Sequence, residues 1–149
     1  MASESSKARD EARIRERIEA WATALRGRDL EGVMSHYAAD VLVCDLAPPL
    51  QRVGADEVRK MLEWWFPTFR GPIGYEIRDL EISVGDDVAF SHSLNRLGGA
   101  AVSGVEWEVW VRATVCLRKI DGEWKITHEH SSVPYYMDGS FRAAVDLVP

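Results

Sequence analysis

A chain of 149 residues, 46% hydrophobic and 28% charged, has the size and composition of one globular domain able to bury its own core. Its formal net charge of -6, with no cluster of Lys and Arg, excludes a partner held through a phosphate backbone, so no nucleic acid is expected. The sequence lacks both an apolar run of about 18 residues and the apolar stretch of a signal peptide, which leads to the expectation of a cytoplasmic protein that does not enter a membrane.

Residues 1–7 are small and polar, and a frayed tail is expected there, with a single domain over 8–149. Ile14, Ile18, Trp21 and Leu25 recur at helical spacing and predict a helix from Ala8 to Arg26, ended by Gly27. Asp29 is a suitable N-cap for a second helix through Tyr37, with Leu30, Val33, Met34 and Tyr37 on its buried side. The run VLVCDLAPPL reads as a strand carrying one carboxylate, Asp45, and closed by Pro48 and Pro49. A third helix fits Asp56 to Phe66, with Val58, Leu62, Trp65 and Phe66 on one face before Pro67.

After Gly71-Pro72 the period becomes two, predicting strands at Tyr75–Val84, Val88–Leu97, Val105–Ile120 and Trp124–Val133. Gly85-Asp86, Gly98-Gly99 and Asp121-Gly122 supply the turns. Helices followed by an antiparallel meander make an α+β order rather than the alternation of a doubly wound sheet. Cys44 and Cys116 lie in strand-like runs and are expected as reduced, buried thiols. Residues 134–149 are expected to form an arm or a last turn of helix.

Alternate residues of a strand share a face, so each strand divides into two sets. One set collects Val88, Phe90, Leu94, Val109, Val111, Val115, Leu117, Trp124 and Ile126; the other collects Ser91, Ser93, Asn95, Trp110, Arg112, Thr114, Glu129 and Ser131. Two readings are open. Either the apolar set meets the helices and the polar set meets water, or the apolar set is buried in a dimer while the polar set lines a pocket.

The segment SHYAADVLVCDLAPPL, a helix opening at Gly54, and WVRATVCLRKIDGEWKITHEHSSVP resemble the nuclear-transport-factor-2-like superfamily, within it the SnoaL-like, ketosteroid-isomerase-homologue proteins. The resemblance spans roughly Asp10 to Pro149 and is best in the final G-x-W-x-I-x-H-x-H-x-S strand. It implies a cone-like barrel in which a curved, mainly antiparallel sheet is wrapped by three N-terminal helices around a cavity, and a homodimer through the outer sheet face. It also puts Asp45 where ketosteroid isomerase keeps its general-base Asp. The isomerase's oxyanion-hole Tyr falls at Trp21 and its protonated acid near Cys116, so steroid isomerisation itself is not implied.

The candidate catalytic residues are Asp45, set among Val43, Cys44, Leu46 and Ala47, where desolvation would raise its pKa, and Glu129. The alternative for Asp45 is a carboxylate capping the turn before Pro48. Arg112 and Glu129 share a parity on strands expected to be neighbours and are read as an acid or orienting pair. Trp110 suits a pocket wall for a flat ligand. Tyr37, Asn95, Thr114 and Ser131 complete the expected ligand-binding set. His128 and His130 form an H-x-H pair without a third and fourth ligand, so no metal is expected, and no cofactor. The function expected is cofactor-independent proton transfer on an apolar or cyclic small molecule, as an isomerase, cyclase or hydratase-like enzyme. The alternative is a non-catalytic ligand-binding or oligomerisation module of the same fold.

Overall fold

The computed structural model describes residues 3–149. Helix α1 runs Glu4–Arg26, α2 Leu30–Met34 and α3 Ala55–Trp65, followed by a short 3-10 turn at Phe66–Thr68. The strands are β1 (Tyr37–Cys44), β2 (Arg52–Val53), β3 (Gly74–Val84), β4 (Val88–Ala100), β5 (Glu106–Ile120) and β6 (Glu123–Ser132). They form one open, curved six-stranded sheet in the order β2-β1-β6-β5-β4-β3. Only β1 and β6 pair in parallel; every other pairing is antiparallel. The α+β sheet wrapped by N-terminal helices is therefore the architecture expected from the sequence, with the sheet open rather than closed into a barrel.

Helix α1 starts earlier than the sequence pattern suggests. Ser3 accepts the backbone N–H of Ser6 at 3.1 Å and caps the first turn, so residues 4–7, expected as frayed tail, are helical. Residues 1–2 lie outside the described residues. The buried stripe of α1 is Asp10, Ile14, Ile18, Ala22 and Leu25. Asp29 caps α2 as expected by accepting Gly32 N–H at 3.0 Å, but α2 stops at Met34 and Tyr37 opens β1 instead of closing the helix. Gly54 enters α3 with φ 93°, a conformation that side-chain-bearing residues resist, while its N–H donates to Val41 carbonyl at 2.7 Å.

The expected turn at Gly98-Gly99 is not one. Strand β4 continues through both glycines to Ala100, and the chain reverses around Ser103-Gly104. A Cβ at Gly98 would collide with the backbone of Trp107 and Glu108 on β5, so the glycine permits close strand contact and not chain reversal.

Two bulges bend the sheet. In β3 the register slips between Arg78 and Glu81, where Asp79 has φ 55°. In β6 Leu117 faces Ile126 while Cys116 faces His128, which leaves Thr127 as the extra residue. The core fills the concave side between sheet and helices, from Ile14, Ile18 and Leu25 through Val33, Val41, Val58 and Leu62 to Leu117, Trp124 and Ile126. Residues 134–149 form an arm closed on itself: Tyr136 N–H donates to Arg142 carbonyl, and Ala144 N–H to Pro134 carbonyl.

Candidate active site

The bulge at Thr127 decides which side chains meet in the interior. Before it, Trp124 and Ile126 face the core; after it, the opposite parity does, so Glu129 and Ser131 follow them onto the same concave face. Glu129 is cross-strand partner to Val115 on one side and Val43 on the other. It also lines the internal cavity, of about 80 Å³, with Tyr37, Asp45, Trp21, Tyr75 and Ser131. A second pocket of about 40 Å³ continues along the sheet past Ser91, Ser93 and Asn95 and shares Trp21, Tyr75, Glu129 and Ser131.

A chain of hydrogen bonds organises the wall. Trp21 Nε1 donates to Tyr37 Oη at 3.0 Å, and Tyr37 Oη donates to Glu129 Oε1 at 2.9 Å. Ser93 and Asn95 form a second group: Ser93 Oγ donates to Asn95 Oδ1 at 2.8 Å, and Asn95 Nδ2 donates to Tyr75 Oη at 2.6 Å. The Tyr75 ring stands edge-on to Trp21 with centroids 5.3 Å apart, and its carbonyl accepts Arg26 Nε at 2.8 Å.

Burial raises the pKa of Glu129 to about 7; the Tyr37 hydrogen bond pulls it down, and the neighbouring Asp45 carboxylate pushes it further up. Burial likewise lifts both phenols well above their ordinary range, so Tyr37 and Tyr75 remain hydrogen-bond donors at any working pH.

Of the residues singled out from the sequence, Tyr37, Asp45, Asn95, Glu129 and Ser131 gather at these two spaces. Asp45 does so differently from expectation. It follows the end of β1, is exposed, and accepts the backbone N–H of Leu46 at 2.7 Å. It therefore stands at the cavity mouth, not in a desolvated pocket. A groove of about 830 Å³ leads outward from the same point, lined by Asp45, Leu46, Pro48, Leu50, Ser131 and Val145 among others.

Arg112 and Trp110 do not join the site, and Thr114 only borders it. Arg112 is exposed and donates from Nε to Ser132 Oγ at 3.1 Å, so the expected pair with Glu129 is not formed. Trp110 lies beneath the Arg78 guanidinium, 5.7 Å from its ring centroid. Thr114 contributes to the lining of the smaller pocket but is itself exposed. The reason is register: Ser91 pairs with Val115 and Asn95 with Val111, which puts the polar parity of β4 on the same face as the apolar parity of β5. The outer face is correspondingly mixed, with Val88 and Phe90 exposed beside Arg112 and Thr114.

His128 Nδ1 lies 2.8 Å from Leu42 carbonyl, which can only accept, so that nitrogen carries the hydrogen. His130 is exposed, and the two rings are 6.3 Å apart. Among the described residues no three His, Cys, Asp or Glu gather to hold a metal ion, and no helix is long and apolar enough to cross a membrane. The sequence reading missed Tyr75; it set Trp21 where the isomerase keeps its oxyanion-hole Tyr, but did not reach its hydrogen bond to Tyr37. Both residues were visible, Trp21 as a member of the α1 stripe and Tyr75 as the first residue of a strand, but no spacing rule connects them to Glu129.

The model of the SnoaL-like domain family matches residues 14–136. An NTF2-like protein of unknown function from Pseudomonas putida KT2440 is 34% identical, with 95% of this chain and 98% of that one covered and a TM-score of 0.87. A ketosteroid isomerase-like protein from Erwinia carotovora atroseptica SCRI1043 is 25% identical, covering 81% of this chain and 93% of that one at TM-score 0.70. The association domain of C. elegans CaMKII is 14% identical, covers 87% of this chain and 99% of that one at TM-score 0.65, and shows likeness of fold alone. A search of curated proteins gave no match. With most of its length matched by the family model and its helices packed on a curved mixed sheet, the chain belongs to the SnoaL-like family of the nuclear-transport-factor-2-like superfamily.

Proposed function

We propose that this protein is a small-molecule enzyme that moves a proton without a cofactor, in the manner of an isomerase or dehydratase, with Glu129 as the acid–base group. The observation that carries the reading is the setting of Glu129: a carboxyl group facing an internal cavity, oriented by Tyr37 at 2.9 Å and titrating near 7. A general acid–base works best when its pKa lies near the operating pH. Tyr37, fixed by Trp21, occupies one carboxylate oxygen and leaves Oε2 without a hydrogen-bond partner among the described residues. Asp45 at the mouth holds the proton on Glu129 more tightly by charge repulsion and stands where a ligand enters.

The size of the site refines the substrate. A cavity of about 80 Å³ is far below the 300–1,000 Å³ usual for ligand pockets, so only the reacting end of a molecule enters, with the remainder lying in the groove outside Asp45 and Ser131. The test is hydrogen exchange in D2O: small ketones and hydroxy-carbonyl compounds are incubated with the protein and loss of carbon-bound hydrogen is followed by proton NMR. Wild type should accelerate exchange of at least one compound, and Glu129→Gln should lower that acceleration by about 100-fold or more. Equal rates with Glu129→Gln, or no acceleration by wild type across the set, would end the proton-transfer reading.

A second reading, self-association through the outer sheet face, is favoured by the exposed Val88 and Phe90 beside a groove of about 670 Å³. Sedimentation of wild type and Phe90→Lys separates the two states: a dimer that the variant dissociates supports this reading, and a monomer throughout removes it. A cytoplasmic location stays part of the proposal.

A further inference from the structure

The C-terminal arm folds on itself and yet keeps its apolar side chains in solvent. Tyr135, Met137, Phe141, Val145, Leu147 and Val148 are all exposed, Met137 to 86% and Phe141 to 77%. Exposed apolar residues mean little singly, but a cluster of them marks an interaction surface. The arm is a small hairpin: Tyr135 bridges Ala143, Tyr136 Oη donates to Asp146, and the Tyr135 and Phe141 rings lie 5.8 Å apart. Ala144 is buried and anchors its base. Phe141 has φ 56°, a left-handed conformation that is an outlier for a bulky residue. Strain of this kind persists where a function uses it, and here it accompanies an aromatic ring held out in water.

The complement of the arm is on the same chain. The groove of about 830 Å³ outside the cavity mouth is walled by Leu46, Pro48, Leu50, Trp107, Val109 and Val133, with Leu50 96% exposed. Its lining holds the carboxylates of Asp45 and Glu108 and no Lys or Arg. The arm carries Arg142, whose guanidinium stacks on Tyr136, 5.7 Å from the ring centroid, and makes no salt bridge among the described residues. Glu108 already meets Arg96 at 2.8 Å, which leaves Asp45 as the carboxylate complementary to Arg142. Ala143 and Val145 belong to both arm and groove, so one two-fold axis beside them sets each arm over the other copy's groove, a closed contact. Arm and lining together supply about 30 residues a side, against roughly 20–30 in a standard interface.

We propose that the occupant of this groove is the C-terminal arm of a second copy of the chain, with Met137 and Phe141 seated against Leu46, Pro48 and Leu50 and with Arg142 facing Asp45. Asp45, Leu46 and Ser131 line both the groove and the internal cavity, so each copy roofs the cavity mouth of the other. The contact stands on the arm and the groove, and not on the chemistry assigned to Glu129. It is also separate from the face carrying Val88 and Phe90, which pair with Arg118 and Cys116 at the far end of β5 from Trp107 and Val109.

Sedimentation velocity on the whole chain should show a dimer. Met137→Asp and Leu50→Asp, both at side chains already in solvent, should each raise its dissociation constant about tenfold or more, because each puts a charge into an apolar contact. Phe141→Gly is a variant whose fold is not at risk, since glycine accepts the left-handed backbone freely. It should weaken the dimer by a similar factor. A direct readout comes from mixing copies labelled with carbon-13 at the Met methyls with copies labelled at the Leu methyls. A nuclear Overhauser signal between copies should connect Met137 to Leu50. A monomer at every concentration overturns the inference. A dimer without that signal, unmoved by the three variants, overturns it too, and if Phe90→Lys dissociates that dimer, the outer-face reading stands in its place.

Discussion

Tyr37 Oη and Glu129 Oε1, 92 residues apart in the chain, meet at 2.9 Å where the first and last strands of the chain's long strands run side by side. The phenol holds a carboxyl group that burial would otherwise push further toward its neutral form.

Removing the Glu129 charge should stabilise the fold in a pH-dependent way. The folded pKa of about 7 lies above the ordinary value of 4.5, so the folded state binds the proton more tightly than the unfolded one. The contribution of the group is therefore complete below pH 4.5 and is lost as pH rises through 7. Glu129→Gln should match wild type in stability near pH 4 and exceed it by roughly 2–3 kcal/mol at pH 8. Urea unfolding at the two pH values measures the difference.

Tyr37→Phe removes the hydrogen bond that lowers the Glu129 pKa and leaves the Trp21 indole N–H without its acceptor. The Glu129 carboxyl resonance should then titrate above 7 in carbon-13 NMR. The fold should lose about 1–2 kcal/mol, the cost of one unmet buried donor. An unmoved titration would show that the phenol does not govern the acid.

His36 makes the fold sensitive to acid. Arg17 can only donate, so His36 Nδ1, 3.0 Å from Arg17 Nη1, is an acceptor and the ring is neutral. Burial, with Arg17 and Lys125 nearby, lowers its pKa to about 4. The unfolded chain binds the extra proton first, so stability from this group is present above pH 6.5 and is lost as pH falls toward 4. With the ring only half-buried, about 1–2 kcal/mol should disappear across that window. His36→Gln, which keeps an acceptor without a titrating ring, should flatten the curve.

Asp10 and Lys119 should respond unequally to mutation. The Asp10 carboxylate is buried on α1, 3.3 Å from Lys119 Nζ on β5. Burial opposes its charge, but Lys119, Arg13 and the Trp124 indole together hold its pKa below the usual carboxylate range. Trp124 Nε1 itself lacks a hydrogen bond of good geometry. Lys119→Met strands a buried anion and should cost about 3 kcal/mol, whereas Asp10→Asn frees a lysine that can reach solvent and should cost about half as much. Thermal unfolding of the two variants gives the order.

Much of the frame was readable in one dimension because helix and strand periods are local properties. The four strands after Gly71-Pro72 begin and end within a few residues of the positions that alternation and turn residues indicate. The short β2 escaped notice, having two residues and no period to display. Asp10 escaped too: it extends the α1 stripe one turn before Ile14, but a charged residue is not counted as core until its partner on β5 is known.

The sequence by itself determined the α+β order, the helix stripes, the side-chain alternation along stretches of strand without a bulge, and the resemblance that the family match bears out. Only the tertiary structure decided which parity of one strand shares a face with which parity of the next. The extra residue at Thr127 turns Glu129 inward after Trp124 and Ile126 have already faced inward, and strand register puts Asn95 opposite Val111 while Arg112 points outward. Side-chain alternation is a property of one strand, whereas register and bulges are set by packing between strands, and the candidate site is built from the second kind of information.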